Sequence, residues 1–190
     1  MNNTEFNVDD LQELPWETPT NSGQPPSPRP TTAAVALTPN PMRGTLHQEE
    51  ALLRFLQAGN ATLTVRARAS GERFTFRCRR PPEQPGRQRP IWVSLLNGPD
   101  NERSYAFLGT VWVGSPMWTF RLSNKSHAAE TAPSVQAVRW LLKHINTGSL
   151  KRAFAQAEFW HEGRCGRCGR KLTVPESIAS GFGPECAGRV

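Results

Sequence analysis

The chain has 190 residues with 23 Lys and Arg against 16 Asp and Glu, a net charge of +7, which is enough for one domain with appendages. No stretch approaches the ~20 apolar residues of a membrane span. The acidic, polar start is unlike a secretory or transit leader, so a cytoplasmic protein is expected and a membrane role is not. The charge is uneven: residues 1–20 hold Glu5, Asp9, Asp10, Glu13 and Glu17 and no Lys or Arg. The basic remainder favours polyanions such as nucleic acid, DNA or RNA.

Residues 1–44 read as a disordered tail. In "EFNVDDLQELPWE", Phe6, Leu11, Leu14 and Trp16 stand among acids. That is the pattern of a short motif, residues 5–17, that orders on docking to another protein. "QPPSPRP" follows as a stiff linker. An α+β domain is expected over residues 45–158. "TLHQEEALLRFLQAG" predicts a helix with Thr45 as N-cap, Gln48 completing a capping box and Gly59 at its end. "ATLTVRARASGERFTFRCRR" predicts a hairpin turning at Ser70-Gly71, with Cys78 on the apolar side as a buried thiol. After a loop over residues 81–90, "IWVSLL", "SYAFLGTVWV" and "MWTFRLS" predict three more strands. "APSVQAVRWLLKHINTG" predicts a second helix with Pro133 in its first turn, whereas "LKRAFAQAEFW" reads as either helix or strand. The sum is an antiparallel sheet of about five strands flanked by two helices, followed by a small module over residues 159–190.

That module carries three of the four cysteines. Zinc takes four soft or borderline ligands in a tetrahedron, and Cys165-Gly166-Arg167-Cys168 followed by Gly169 has the form of a zinc knuckle, the glycine free to adopt a positive φ. In "GFGPEC", Pro184 suits the first position of a short helix that brings in Cys186 as a third ligand, a treble-clef-like arrangement. His161, four residues before the knuckle, is the nearest candidate for the fourth ligand. Glu162, Glu185 and Cys78 are the alternatives. Clustered thiols in a reducing compartment point to Zn²⁺ rather than a disulfide framework. The absence of a βαβ pattern argues against a redox pair, and three thiols argue against an iron–sulfur cluster.

The run Cys165, Cys168, Gly169, Leu172, Thr173, Pro175, Ser177, Gly181, Gly183, Pro184 and Cys186 resembles the C-terminal module of an uncharacterised family of phage and bacterial proteins, with pattern C-x-x-C-G-x-x-L-T-x-P-x-S-x-x-x-G-x-G-P-x-C. "YAFLGTVW", "FRLSNKS" and "VQAVRWLLKHI" resemble, more loosely, what precedes that module in phage members. The resemblance implies a zinc module, a phage or prophage origin and a bacterial host cytoplasm. It supplies no catalytic residues.

The basic residues fall in two groups. Arg66, Arg68, Arg73, Arg77, Arg79, Arg80, Arg87 and Arg89 face only Glu72 and Glu83 across residues 60–90. Strand alternation puts Arg66, Arg68, Arg77 and Arg79 on one face. Arginine throughout, with no lysine, suits bidentate phosphate contacts. Arg164, Arg167, Arg170 and Lys171 surround the knuckle, where they offset thiolate charge or add phosphate contacts. The aromatic residues of the sheet, Trp92, Tyr105, Phe107, Trp112, Trp118 and Phe120, are read first as core and second as a stacking platform. The functional expectation is a non-enzymatic, zinc-containing nucleic-acid-binding protein, since no carboxylate pair, phosphate loop or triad can be pointed to. The alternative is a phage factor that inhibits or redirects a host complex through its zinc module and acidic N-terminal motif.

Overall fold

The protein is described from a computed structural model covering residues 14–16, 44–82, 85–86, 88–114 and 116–190. Most of the expected tail, and Arg87, lie outside the described residues.

Seven strands form one antiparallel sheet: β1 (Gly44–Thr45), β2 (Asn60–Ala67), β3 (Arg73–Arg79), β4 (Ile91–Leu96), β5 (Tyr105–Trp112), β6 (Thr119–Leu122) and β7 (Ala157–His161). Their order is β1-β7-β2-β3-β4-β5-β6. The hairpin is as expected: Leu63 opposes Phe76 and Val65 opposes Phe74, and Gly71 makes the turn at a φ of 75°. Two strands exceed the expected set. One is the two-residue β1. The other is β7, which enters between β1 and β2.

Helix α1 (Glu49–Gln57) begins later than the capping reading suggests. Thr45 is in β1, and Gln48 is the N-cap without a side-chain cap bond. Helix α2 (Pro133–Asn146) starts on Pro133 as expected. "LKRAFAQAEFW" is both elements in succession: α3 (Leu150–Gln156) runs straight into β7. Short helices α4 (Pro175–Ser180) and α5 (Pro184–Ala187) close the chain.

Alternation gives the sheet two different faces. Ala61, Leu63, Val65, Phe76, Cys78, Ile91, Val93 and Val111 are buried in one cluster with Leu52, Phe55 and Leu56 of α1 and Val135, Val138 and Leu141 of α2. Each Val, Leu, Ile or Phe side chain among them contributes about 1.5–3 kcal/mol by leaving water. A bulge between Val93 and Ser94 shifts the β4–β5 register. Leu108 and Gly109 both turn inward there, and Phe107 returns to the outer face. Over β3 to β6 that outer face is exposed at Arg73, Arg79, Trp92, Phe107, Thr119 and Arg121.

The core also takes in segments that the sequence reading set apart. Leu172, Ile178, Phe182 and Cys165 belong to the same buried cluster as Phe55 and Leu63, and residue 159, the start of the expected module, lies inside β7. Leu14 and Trp16 are buried too. Trp16 meets Trp140 of α2, and Trp140 stacks on Phe159 of β7. Two of the four apolar residues of the expected docking motif therefore pack into the protein's own helical side.

Among the described residues no helix is long and apolar enough to cross a membrane.

Candidate functional site

The knuckle is a miniature hairpin. Arg164 bridges to Lys171, the Leu172 N–H donates to the Gly163 carbonyl at 2.7 Å, and the Cys165 N–H donates to the Arg170 carbonyl at 2.9 Å. Gly169 takes a φ of 74° and donates back to the Cys165 carbonyl at 2.9 Å, so the turn tightens around the two sulfurs. Gly166 is required by close approach: a Cβ there would strike the Phe55 ring. Its carbonyl accepts from the Asn60 N–H at 2.7 Å and its N–H donates to the Gly181 carbonyl at 3.0 Å. These bonds tie the knuckle to β2 and to the end of α4. Cys186 sits in α5, whose first residue is Pro184 as expected.

The ligand atoms of Cys165, Cys168 and Cys186 lie within 4.8 Å of one another, and no cysteine of the chain is in a disulfide. Tetrahedral zinc with Zn–S near 2.3 Å separates its sulfurs by about 3.8 Å, so the set fits such an ion. Burial raises the Cys165 thiol, but the N–H groups of Cys168, Gly183 and Arg167 directed at its sulfur outweigh that and bring it down to about 7. The Cys186 thiol is pushed up, by burial and then by the neighbouring Cys168 and Cys165 sulfurs. Three sulfurs converging this closely cannot all ionise without a cation among them.

His161 does not join them. Its side chain points inward from β7 and is fully buried. Nδ1 accepts from the Gly163 N–H at 3.1 Å, and Nε2 faces the Ile178 carbonyl at 2.8 Å. With one ring nitrogen accepting, the other must donate, so both are committed and neither has a lone pair for a metal. Burial lowers its pKa, which keeps the ring neutral. Gly44 lies against this pair, where a Cβ would collide with both the imidazole and the Ile178 carbonyl. His161 is thus a structural pin between β7 and α4, a role legible only from its place on the inward row with Ala157 and Phe159. Glu162 is not in the thiol cluster either. Its carboxylate accepts from Thr64 Oγ1 at 2.9 Å and Trp160 Nε1 at 3.1 Å. Glu185 and Cys78 also lie outside it. Among the described residues the cluster that could hold a metal therefore consists of the three cysteines alone.

The arginines divide by what they touch. Arg66 and Arg68 share Glu158: Arg66 Nε donates at 3.0 Å and Arg68 Nη1 at 2.9 Å, and Arg66 also lies over the Trp160 ring. Arg77 packs 3.6 Å from the Tyr105 ring centroid and donates to the Glu102 carbonyl at 2.9 Å. Arg164 pairs with the Glu102 carboxylate. Arg80 is lowered by burial and by the charge of Arg89, and its Nε is buried without a partner among the described residues. Arg79 is exposed on the outer face of β3, and Arg167, Arg170 and Lys171 are exposed around the knuckle.

The structure thus splits the expected phosphate-binding set. Arg66, Arg68 and Arg77 are engaged at the surface by groups of the protein itself, and Arg79 stands apart from them. The aromatic set splits as well. Trp118 and Phe120 pack against the core, whereas Trp92 is 45% exposed and Phe107 38%. The sequence reading missed Arg121, which lies between two inward residues, Phe120 and Leu122, on β6. The alternation that exposes it was visible in "TFRL".

A model of a family of unknown function, DUF6011, matches residues 155–190, the stretch from the end of α3 through β7 and the three cysteines to the C-terminus. No curated protein and no solved structure matches the chain.

Proposed function

We propose that this is a non-enzymatic nucleic-acid-binding protein whose three C-terminal cysteines hold a zinc ion. One observation carries the reading. The outer face over β3 to β6 presents Arg73, Arg79 and Arg121 beside exposed Trp92 and Phe107, and no Asp or Glu falls in any of those four strands. A surface of that composition attracts phosphates and offers ring faces to bases. The metal's role here is architectural. Cys165, Cys168 and Cys186 would hold it, and it would join α5 to the knuckle beside the exposed Arg167, Arg170 and Lys171. The phage or prophage origin rests on the resemblance of the C-terminal module.

The reading is tested by titrating a labelled oligonucleotide at increasing salt. With about four phosphate contacts, affinity for a duplex should fall on the order of a hundredfold from 50 to 200 mM salt, because each neutralised phosphate releases counterions. Binding that is absent or indifferent to salt overturns it. The competing reading, docking to a host protein through residues 5–17, must do without Leu14 and Trp16 as free anchors, since the protein's own core takes both.

A further inference from the structure

We infer that a single-stranded nucleic acid crosses β3 to β6 on the outer face, its bases stacked on Trp92 and Phe107 and its phosphates held by Arg79 and Arg121. This rests on the nucleic-acid reading above and narrows it to a strand type and a path.

The path follows the register. Asn60 opposes Arg79, Arg79 opposes Trp92, Trp92 opposes Thr110 and Thr110 opposes Arg121. Residues directly opposite in an antiparallel pair share a face, so these five form one row across the sheet. Four interstrand steps make it about 19 Å long. Trp92 lies between two arginines, one strand from Arg79 and two from Arg121. The adjacent row places Phe107 opposite Ser94 and Ser94 opposite Arg77. Among the described residues, no hydrogen bond or ion pair occupies Arg79 or Arg121, in contrast to Arg66 and Arg68.

Both ends of the row are built. At one end the Asn60 side chain lies against Gly169 of the knuckle, so the row begins at the cationic turn. Toward the other, Trp112, Met117, Thr119 and Arg121 border a hollow of about 370 Å³, room for an unstacked base beside the Arg121 end of the row. A duplex keeps its ring faces stacked internally and cannot use Trp92 and Phe107. A single strand can, at about 1–3 kcal/mol per base.

The test compares the whole protein's binding to a labelled twelve-nucleotide oligo-dT and to the same strand in duplex with oligo-dA. The single strand should bind more tightly. Trp92→Ala should weaken it about tenfold to a hundredfold and weaken the duplex far less, while Trp92→Phe keeps most of the single-strand affinity. Replacing Arg79 and Arg121 by Gln should lower the single-strand salt slope by about 1.4. An unchanged unfolding transition for each variant shows that the effect is local, as expected for exposed side chains. Equal or tighter duplex binding together with an inert Trp92→Ala would overturn the strip and leave the nucleic-acid reading standing. Failure of both probes to bind would overturn both.

Discussion

Trp16 meets Trp140 edge-on, with ring centroids 4.7 Å apart and planes at 83°, so Trp16 is anchored to the middle of α2. Trp140 in turn contacts His144 at 4.7 Å and stacks on Phe159 at 6.3 Å. Trp16 therefore caps a column of rings that leads into the sheet. With 2% of its surface exposed, it buries most of its area there. Trp16→Ala should destabilise the fold by about 3–5 kcal/mol, from lost transfer energy plus the void left behind. Denaturant unfolding measures this as a lower midpoint. A midpoint within about 0.5 kcal/mol of the parent would show that the anchor carries no weight.

The purified protein should hold one zinc per chain, and Cys168→Ser or Cys186→Ser should lose it. His161→Ala should retain the zinc and lose stability, because it strands a buried carbonyl on Ile178 and a buried N–H on Gly163, each worth about 1–3 kcal/mol. Metal analysis of His161→Ala beside its thermal scan decides the point. Loss of zinc with unchanged stability would return His161 to the metal.

Cys78 should behave unlike the other three thiols. Burial pushes it up to about 12 from an ordinary 9.0. In folded, metal-stripped protein at pH 8 an alkylating reagent should label the accessible Cys168 and Cys186, and Cys78 only after denaturation. The same shift destabilises the fold at high pH. Above pH 9.0 the unfolded chain ionises this thiol while the folded one does not, so stability falls as pH rises toward about 12. Rapid labelling of all four thiols in the folded state would contradict the burial.

Glu158→Gln should free two cations at once. Its carboxylate holds Arg66 and Arg68, whose side chains are 35% and 50% exposed, so the ion pairs are worth little to stability, under about 1 kcal/mol each. Oligonucleotide affinity at low salt should rise a few-fold, and the unfolding midpoint should barely move. A large fall in stability with unchanged affinity would mean that the pair is a structural clamp.

The parts of the fold that were legible in the sequence are those with an unbroken period. Leu63, Val65, Phe74 and Phe76 alternate without interruption, and α2 has a proline at its start and Gly148 past its end. The sequence failed where two signals overlapped. Leu150 to Trp160 reads as helix and as strand because a helix turns into a strand at Ala157 with no loop between. Spacing favoured His161 as a ligand, since it is four residues from the knuckle. The alternation of β7 turns it into the core instead, and only the pairing with β2 decides which side of the sheet that is. The arginines were legible as a cluster, but their partners were not. Glu158 lies about ninety residues from Arg66 and Arg68, and no local pattern announces that meeting.

The position of β7 governs how the chain can come to be folded. It is the last of the seven described strands in chain order, yet it lies inside the sheet, with His161 opposite Leu63 and Ala157 opposite Ala67. Until it emerges, β2 is a bare hydrophobic edge, the kind that pairs with other chains. Closing that gap joins residues nearly a hundred apart, which makes nucleation slow. A nascent or truncated chain lacking residues beyond 156 is therefore left with an unsealed seam and should aggregate. The knuckle follows β7 directly, so a metal bound there would fasten a seam that has only just closed.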